Sequence, residues 1–326
     1  MKKIISILLT ITMILGITLS VQLSASAATT DKVESGFFYT DQYASWWCWL
    51  LEDGTGYSVT AHNISKYKTN IKIPSIINNL PVLEIGDSAF TDCTTLTSVT
   101  IPNSVTTINK QAFYNCTGLT NLKIPDNVTS IGDNAFYNCT SLTSIKIPDG
   151  VTAIGSSAFG HCSSLTEIKI PESVTIIGEN AFAYCESITS IIIPDGVTTI
   201  GDCTFLYCSA LTSITIPNSV KTINYGAFYN CTNLASITIP DSVTTIGEHT
   251  FCKCTSLTSI TIPDSVETIG HYAFCKCTGL TSVTLSNSLK TISEAIFTDC
   301  TSLTSVTIPN SVKIIENFAF YKGLSH

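Results

Sequence analysis

Arginine is absent from the whole chain, and the remaining charge is sparse: sixteen lysines against twenty-four acids, 12% charged residues and a net charge of −8 over 326 residues. A nucleic-acid surface needs basic density to replace counterions, so nucleic acid is excluded as a partner. After the first residues no apolar run is long enough to span a bilayer. None of the five histidines, His62, His161, His249, His271 and His326, stands in a nucleophile or metalloprotease motif, and no enzyme is expected. A wall-sorting signal is also missing, because the one Leu-Pro pair, Leu80-Pro81, falls inside the first repeat. No lipidation cysteine follows the N-terminal apolar run either.

That N-terminal run is the first positive feature. Lys2-Lys3, the apolar stretch Ile4 to Leu19 and the small residues Ala25-Ser26-Ala27 stand in the order of a secretory signal peptide, expected over residues 1–27. The mature chain is then secreted or displayed at the cell surface, with no membrane span after cleavage. Residues 28–70 are not repetitive and carry all three tryptophans, Trp46, Trp47 and Trp49, followed by two strand-like runs around an Asp53-Gly54 turn. They are expected to form an N-terminal β cap covering the open apolar end of the repeats that begin at Ile71. An aromatic platform for a sugar ring is the functional alternative for these tryptophans.

From Ile71 onward the chain is periodic. Phenylalanine recurs every 23 residues at Phe90, Phe113, Phe136, Phe159, Phe182, Phe205, Phe228, Phe251, Phe274, Phe297 and Phe320. A fixed period of this length marks a solenoid, expected over residues 71–326 with about eleven coils. In each unit, as in Leu257-Thr-Ser-Ile260-Thr-Ile262-Pro263, alternating β-branched residues predict a strand that proline ends, giving a parallel strand face. After a tight turn, Val266-x-x-Ile269 begins a short second strand. A glycine follows in most coils, replaced by Asn109 and Asn224 in two, which predicts a left-handed corner there. Acids after it, including Asp87, Asp133, Glu179, Asp202, Glu248 and Glu294, predict the start of a helical turn carrying Ala-Phe-x-x-Cys. The first coil is longer, Pro74 to Pro102 spanning 28 residues.

Fourteen cysteines in an exported chain would ordinarily mean a disulfide framework. Ten of them instead hold one register, three residues after each phenylalanine from Cys93 to Cys300, where a small apolar side chain belongs. A buried, unreactive ladder of free thiols is expected.

These units carry a family resemblance. The run from Ile239, Ile-Pro-Asp-Ser-Val-Thr-Thr-Ile-Gly-Glu-His-Thr-Phe-Cys-Lys-Cys-Thr-Ser-Leu-Thr-Ser-Ile-Thr, resembles the 23-residue repeat of BspA-like leucine-rich repeat proteins, and the match covers residues 71–321. The resemblance implies a leucine-rich-repeat solenoid in a secreted or surface-displayed bacterial binding protein, some relatives being adhesins for host matrix proteins or other cells. It implies no catalysis and no particular ligand. The chain departs from the pattern at Phe320-Tyr321-Lys322-Gly323-Leu324-Ser325-His326, which reads as neither a C-terminal cap nor a wall motif.

One constellation could hold chemistry: His249-Thr-Phe-Cys252-Lys-Cys254 stacked on His271-Tyr-Ala-Phe-Cys275-Lys-Cys277. Zinc takes such ligands. However, Cys254 and Cys277 should point inward and the rest sit at unequal offsets, so no metal and no cofactor is expected. A Cys252–Cys275 disulfide is an open alternative. The favoured reading is a neutral duplication with both residues outward.

The candidate binding site lies where exposed strand-face positions depart from threonine and serine. Asn121 and Lys123, then Lys146, then Glu167 and Lys169, then Ile192 form one patch over four consecutive coils, with three lysines in one register. Drift on a solvated face and contact with an acidic protein or glycan both account for it. The leading function is a non-catalytic binding or adhesion protein presenting its repeat surface to a host or bacterial macromolecule. The alternatives are a structural cell-surface spacer and, through the regular Ser-x-Thr array, an ice-binding-type solenoid.

Overall fold

A computed structural model describes residues 36–62 and 68–323. The expected signal peptide, residues 1–27, lies outside the described residues. The chain opens with an antiparallel meander, β1 (Gly36–Thr40), β2 (Ser45–Leu50) and β3 (Tyr57–His62). The β2–β3 turn contains Gly54 at φ +70°, as the Asp-Gly pair predicts. Alternation along β2 buries Trp46 and Cys48 completely, and Trp46 meets the Phe90 ring edge-on at 6.0 Å. One tryptophan of the three therefore covers the first coil.

The long first coil contains β4 (Asn70–Lys72), β5 (Ile76–Ile77) and β6 (Leu80–Ile85). β6 pairs in parallel with β3, so meander and solenoid share one nine-stranded sheet that continues through Thr107–Ile108, Ser130–Ile131, Ala153–Ile154 and Ile176–Ile177. These are the predicted second strands, each in register with the next at 23 residues. The other strand face is built in segments, beginning with β4, Ser98–Thr100 and Asn121–Leu122, then Ser144–Lys146 with Glu167–Lys169.

The phenylalanines point into the core from the turn segment that follows each second strand. All eleven rings stack in one column at centroid spacings of 5.0 to 5.7 Å, tilted by no more than 15°. Each pair adds about 0.5–1.5 kcal/mol to the burial of the rings themselves.

The expected helical turn is not formed, and no helix occurs among the described residues. Around each phenylalanine the chain instead alternates two hydrogen-bond partners. Ala89, Thr91 and Cys93 donate to carbonyls three residues back, while Ser88, Phe90 and Asp92 donate to Lys110, Ala112 and Tyr114 in the next coil. An α-helix would keep every N–H within its own turn; here half of them join neighbouring coils. Two left-handed residues per coil produce the alternation, Ser88 and Asp92 in the first, Gln111 and Asn115 in the second, and so on to Phe318 and Lys322. Two of the acids bond to the next coil rather than capping a helix: Asp133 accepts the N–H of Ser156 at 2.7 Å and Asp202 that of Tyr225 at 3.2 Å.

The left-handed corner is likewise not at the repeated glycine. Gly132, Gly155, Gly178 and Gly247 have no positive φ, and neither do Asn109 and Asn224. Glycine is there for space: a Cβ on Gly132 would lie 2.7 Å from the Asn109 carbonyl carbon of the preceding coil. The left-handed site is two residues further on, where Gly226 stands at φ +57° in one coil and Ser157 at +53° in another. The two positions call for substitutions of opposite sign. Gly132→Ala forces adjacent backbones apart and should destabilise by about 1–3 kcal/mol. Ser157→Gly relieves a left-handed L-residue and should stabilise by about 0.5–1 kcal/mol. Denaturant midpoints measure both, and stabilisation by Gly132→Ala would contradict the close-approach account.

Candidate functional site

The strand face displays what its alternation forces outward. Ile145 and Ile168 turn into the core, so Lys146 and Lys169 face solvent directly opposite each other, with Ser144 opposite Glu167. Lys123 is exposed in the preceding coil, and Asn121 pairs with Ser98. Ile192 is 66% exposed and pairs with Thr215. All six predicted residues are therefore on the surface of one face, but not at one point. Glu167, Lys169 and Ile192 surround a shallow depression of about 530 Å³ that Glu172 also lines, while Asn121 and Lys123 lie two coils away. Lys146 makes a loose 3.8 Å contact with Asp126, both side chains largely in water, which adds little stability.

The same row holds a lysine that the 23-residue spacing does not find. Lys72 of β4 pairs with Thr100, so it belongs to the register of Lys123, Lys146 and Lys169. Its sequence offset is 28 because of the longer first coil, and that step was the available signal. On the adjoining row, Thr97, Thr120, Thr166, Thr212 and Thr281 donate their hydroxyls to a backbone carbonyl of the preceding coil. Part of the hydroxyl array thus ties coils together.

A second surface feature is aromatic. Tyr114, Tyr137, His161, Tyr184, Tyr207 and Tyr229 form a continuous ladder across six coils at centroid spacings of 4.2 to 5.7 Å, and the Lys253 ammonium sits 5.0 Å from the last ring. Tyr114, Tyr137 and Tyr229 stand one residue after phenylalanine and His161, Tyr184 and Tyr207 two, which hides the ladder from a strict period. The rings mostly cover one another's faces, leaving few free for a ligand. Burial lowers the His161 pKa, with Glu186 opposing.

The reactive groups are in the interior. From Cys116 to Cys300, nine ladder thiols are fully buried, each donating to the carbonyl of the preceding coil's phenylalanine at 3.0 to 3.2 Å. Cys93 is the exception. No earlier phenylalanine coil precedes it, and it is only half-buried, with Thr91 oxygen at 3.8 Å. Burial pushes Cys162, Cys208, Cys254 and Cys300 up to about 12 and Cys93 to about 11.

Cys252 and Cys275 are disulfide-bonded, with Cα atoms 4.6 Å apart, and are not the outward neutral copies expected. They are 2% and 6% exposed, because a small residue after the phenylalanine lies below its larger neighbours, as Gly160 and Ala183 also do. A ring nitrogen of His249 and the two sulfurs lie within 4.8 Å of one another, and the Nδ1 of His249 is buried without a hydrogen-bond partner. Burial lowers the pKa of this histidine, partly opposed by Glu248. With the sulfurs joined to each other, the group offers no thiolate to a metal.

A family model described as the BspA type leucine rich repeat region matches residues 83–212 and 198–325, with six copies. A leucine-rich repeat protein from Bacteroides ovatus is 27% identical with a TM-score of 0.69, over 87% of this chain and 92% of its own. A leucine rich cell surface protein from Faecalibacterium prausnitzii is 30% identical with a TM-score of 0.51, over 88% and 87%. The T. pallidum leucine rich repeat protein is 28% identical with a TM-score of 0.52, over 67% and 90%. No curated protein matches the chain.

The thiol environments fix an alkylation pattern. Of twelve free cysteines only Cys93 and Cys203 are not buried, so two should label natively, twelve after denaturation and all fourteen after reduction as well. Native labelling of the whole ladder would contradict the packing. Because folding raises these pKa values, their stabilising contribution is complete below the ordinary thiol value of about 8.5 and is lost as pH rises towards about 12. The melting temperature should therefore fall steeply above about pH 9, where the unfolded chain ionises first.

Proposed function

The chain belongs to the BspA-type leucine-rich repeat family, and from that premise we propose that it is an exported, non-catalytic binding protein whose strand face docks an acidic protein or glycan. The observation that supports this reading most is the lysine row. Lys72, Lys123, Lys146 and Lys169 share one register in a chain without arginine and with a net charge of −8. Like charges stacked one strand apart repel, at a cost of a few tenths to about 1 kcal/mol, so the row is not explained by stability. It steers an anionic surface onto the face, and the depression at Glu167, Lys169 and Ile192 provides a mixed polar and apolar contact beside it.

Export rests on the leader-like residues 1–27, and surface display is supported by the name of one similar structure, a leucine rich cell surface protein. In this reading residues 28–70 act as the cap and residues 71–326 as the binding solenoid. A water-ordering role for the hydroxyl face is less favoured, since Asn121, Lys123 and Glu167 interrupt the array and the threonine row beside it is bonded to backbone.

The test is a pull-down of the purified protein against host matrix, bacterial wall polymers and sister cells, followed by affinity measurement for each partner. Changing Lys123, Lys146 and Lys169 to Thr should weaken binding by about three- to thirtyfold at low salt and flatten its salt dependence. Thermal stability should stay level or rise slightly, since a like-charge stack is removed. Unchanged affinity for every partner would overturn the strand face as the docking surface.

A further inference from the structure

The outer face of the N-terminal meander has a different character from the solenoid. Trp47 and Trp49 point away from the core that Trp46 and Cys48 fill, and both remain partly exposed. Trp47 lies 4.2 Å from Phe38, itself 46% exposed, and 5.3 Å from Trp49, both pairs edge to face. Covering the first coil requires Trp46 only. The other rings pack on one another and on Gly36 outside the core and keep part of their apolar surface in contact with water.

Strand pairing sets polar groups beside these rings. Trp47 pairs with Thr60 and Trp49 with Ser58, then Ser58 with Glu84, and Glu84 with Thr107. An indole, a hydroxyl, a carboxylate and a second hydroxyl thus run in one line across four strands on the same face. Asn109 donates to one Glu84 oxygen at 2.8 Å and fixes that carboxylate. Gly86 keeps the floor open: a Cβ there would lie 2.7 Å from the Thr60 hydroxyl and 3.0 Å from that of Ser58. The whole forms a depression of about 1200 Å³, with Glu52 and Asp87 also contributing to its lining.

We propose that this depression is a binding site for a neutral oligosaccharide, separate from the lysine row. A pyranose presents an axial C–H face that packs on an indole and a rim of hydroxyls that both donate and accept. The wall and floor supply those complements: aromatic rings on one side, and Ser58, Thr60, Glu84 and Asn109 on the other. A quaternary ammonium is a poorer fit, because the two indoles stand edge to face on one wall instead of enclosing a cation from several sides. Three carboxylates, Glu52, Glu84 and Asp87, disfavour acidic sugars.

The protein's only three tryptophans all lie in this meander, so intrinsic emission reports on the site directly. The purified full chain is titrated with tetrasaccharides of β-linked glucose, of β-linked mannose and of N-acetylglucosamine, with choline and an oligogalacturonide alongside. At least one neutral tetrasaccharide should change the emission saturably at millimolar concentration or below. Trp49→Ala should weaken that binding at least tenfold, about 1.4 kcal/mol. Glu84→Gln, which preserves side-chain shape, and Gly86→Ala, which fills the floor, should each weaken it several-fold, so the claim remains testable if Trp49→Ala does not fold. Replacing Lys123, Lys146 and Lys169 should leave it unchanged, which separates this site from strand-face docking. No response to any neutral tetrasaccharide, a response to choline or oligogalacturonide alone, or full affinity in folded Glu84→Gln and Gly86→Ala variants would each overturn the proposal.

Discussion

The structure depends on one constraint: alternate backbone N–H groups around each phenylalanine bond to the next coil, not to their own turn. Those bonds bring successive coils to peptide-pairing distance, and that distance dictates the repeat chemistry. Phenylalanine rings repeated at equivalent positions and held 5.0 to 5.7 Å apart by the backbone stack nearly parallel, offset from one another. The residue facing the preceding coil's backbone has little room for a Cβ in most coils, as at Gly132 and Gly155. The phenylalanine carbonyl already accepts the N–H of the cysteine three residues on, and the thiol of the next coil's cysteine meets it as a second donor. Cysteine is suited to this position because it is small, apolar in bulk and still a weak donor, whereas a hydroxyl would bring acceptor capacity that the core leaves unmet.

Interior registers were legible in the sequence because side chains that must fit the same hole in every coil repeat with few exceptions. Phe recurs in all eleven coils, Cys follows in ten, and the next register is Leu in nine coils and Ile188 in one. Backbone conformation was less legible. Seven of the left-handed ladder sites hold Asn or Asp, such as Asn134 and Asp92, but others hold Ser157, His161, Tyr184, Cys203, Lys253 and Ala295, so the signal is only partial and the inter-coil bonds impose the conformation where local preference does not. The repeated glycine carried the usual signal of a left-handed corner but answers to close approach instead. Hydrogen bonds running between coils also explain why an Ala-Phe-x-x-Cys segment with an acid before it does not become a helix.

Surface features were legible only where they kept the period. Lys123, Lys146 and Lys169 did, while Lys72 was displaced by the longer first coil and the tyrosine ladder by its one-residue shift. The Cys252–Cys275 bond could be named as an alternative from spacing, but its depth depends on neighbouring side chains. Trp47 and Trp49 were grouped with Trp46 in a structural role; only the pleat of β2 separates the one that seals the core from the two that face a polar-floored depression. The interior is thus held constant by stacking while the strand face and the meander's outer face are free to differ, and the two proposed binding surfaces lie on those faces.

Native-state hydrogen exchange on the central coils tests the inter-coil ladder most directly. The amides of Phe136, Phe159, Phe182, Phe205 and Phe228, each bonded to the next coil, should exchange as one slow cooperative group that opens only with the stack. If these amides exchange independently, or as fast as exposed turn amides such as those of Asp133 and Glu179, the coils are not held together by this ladder and the account of the repeat fails.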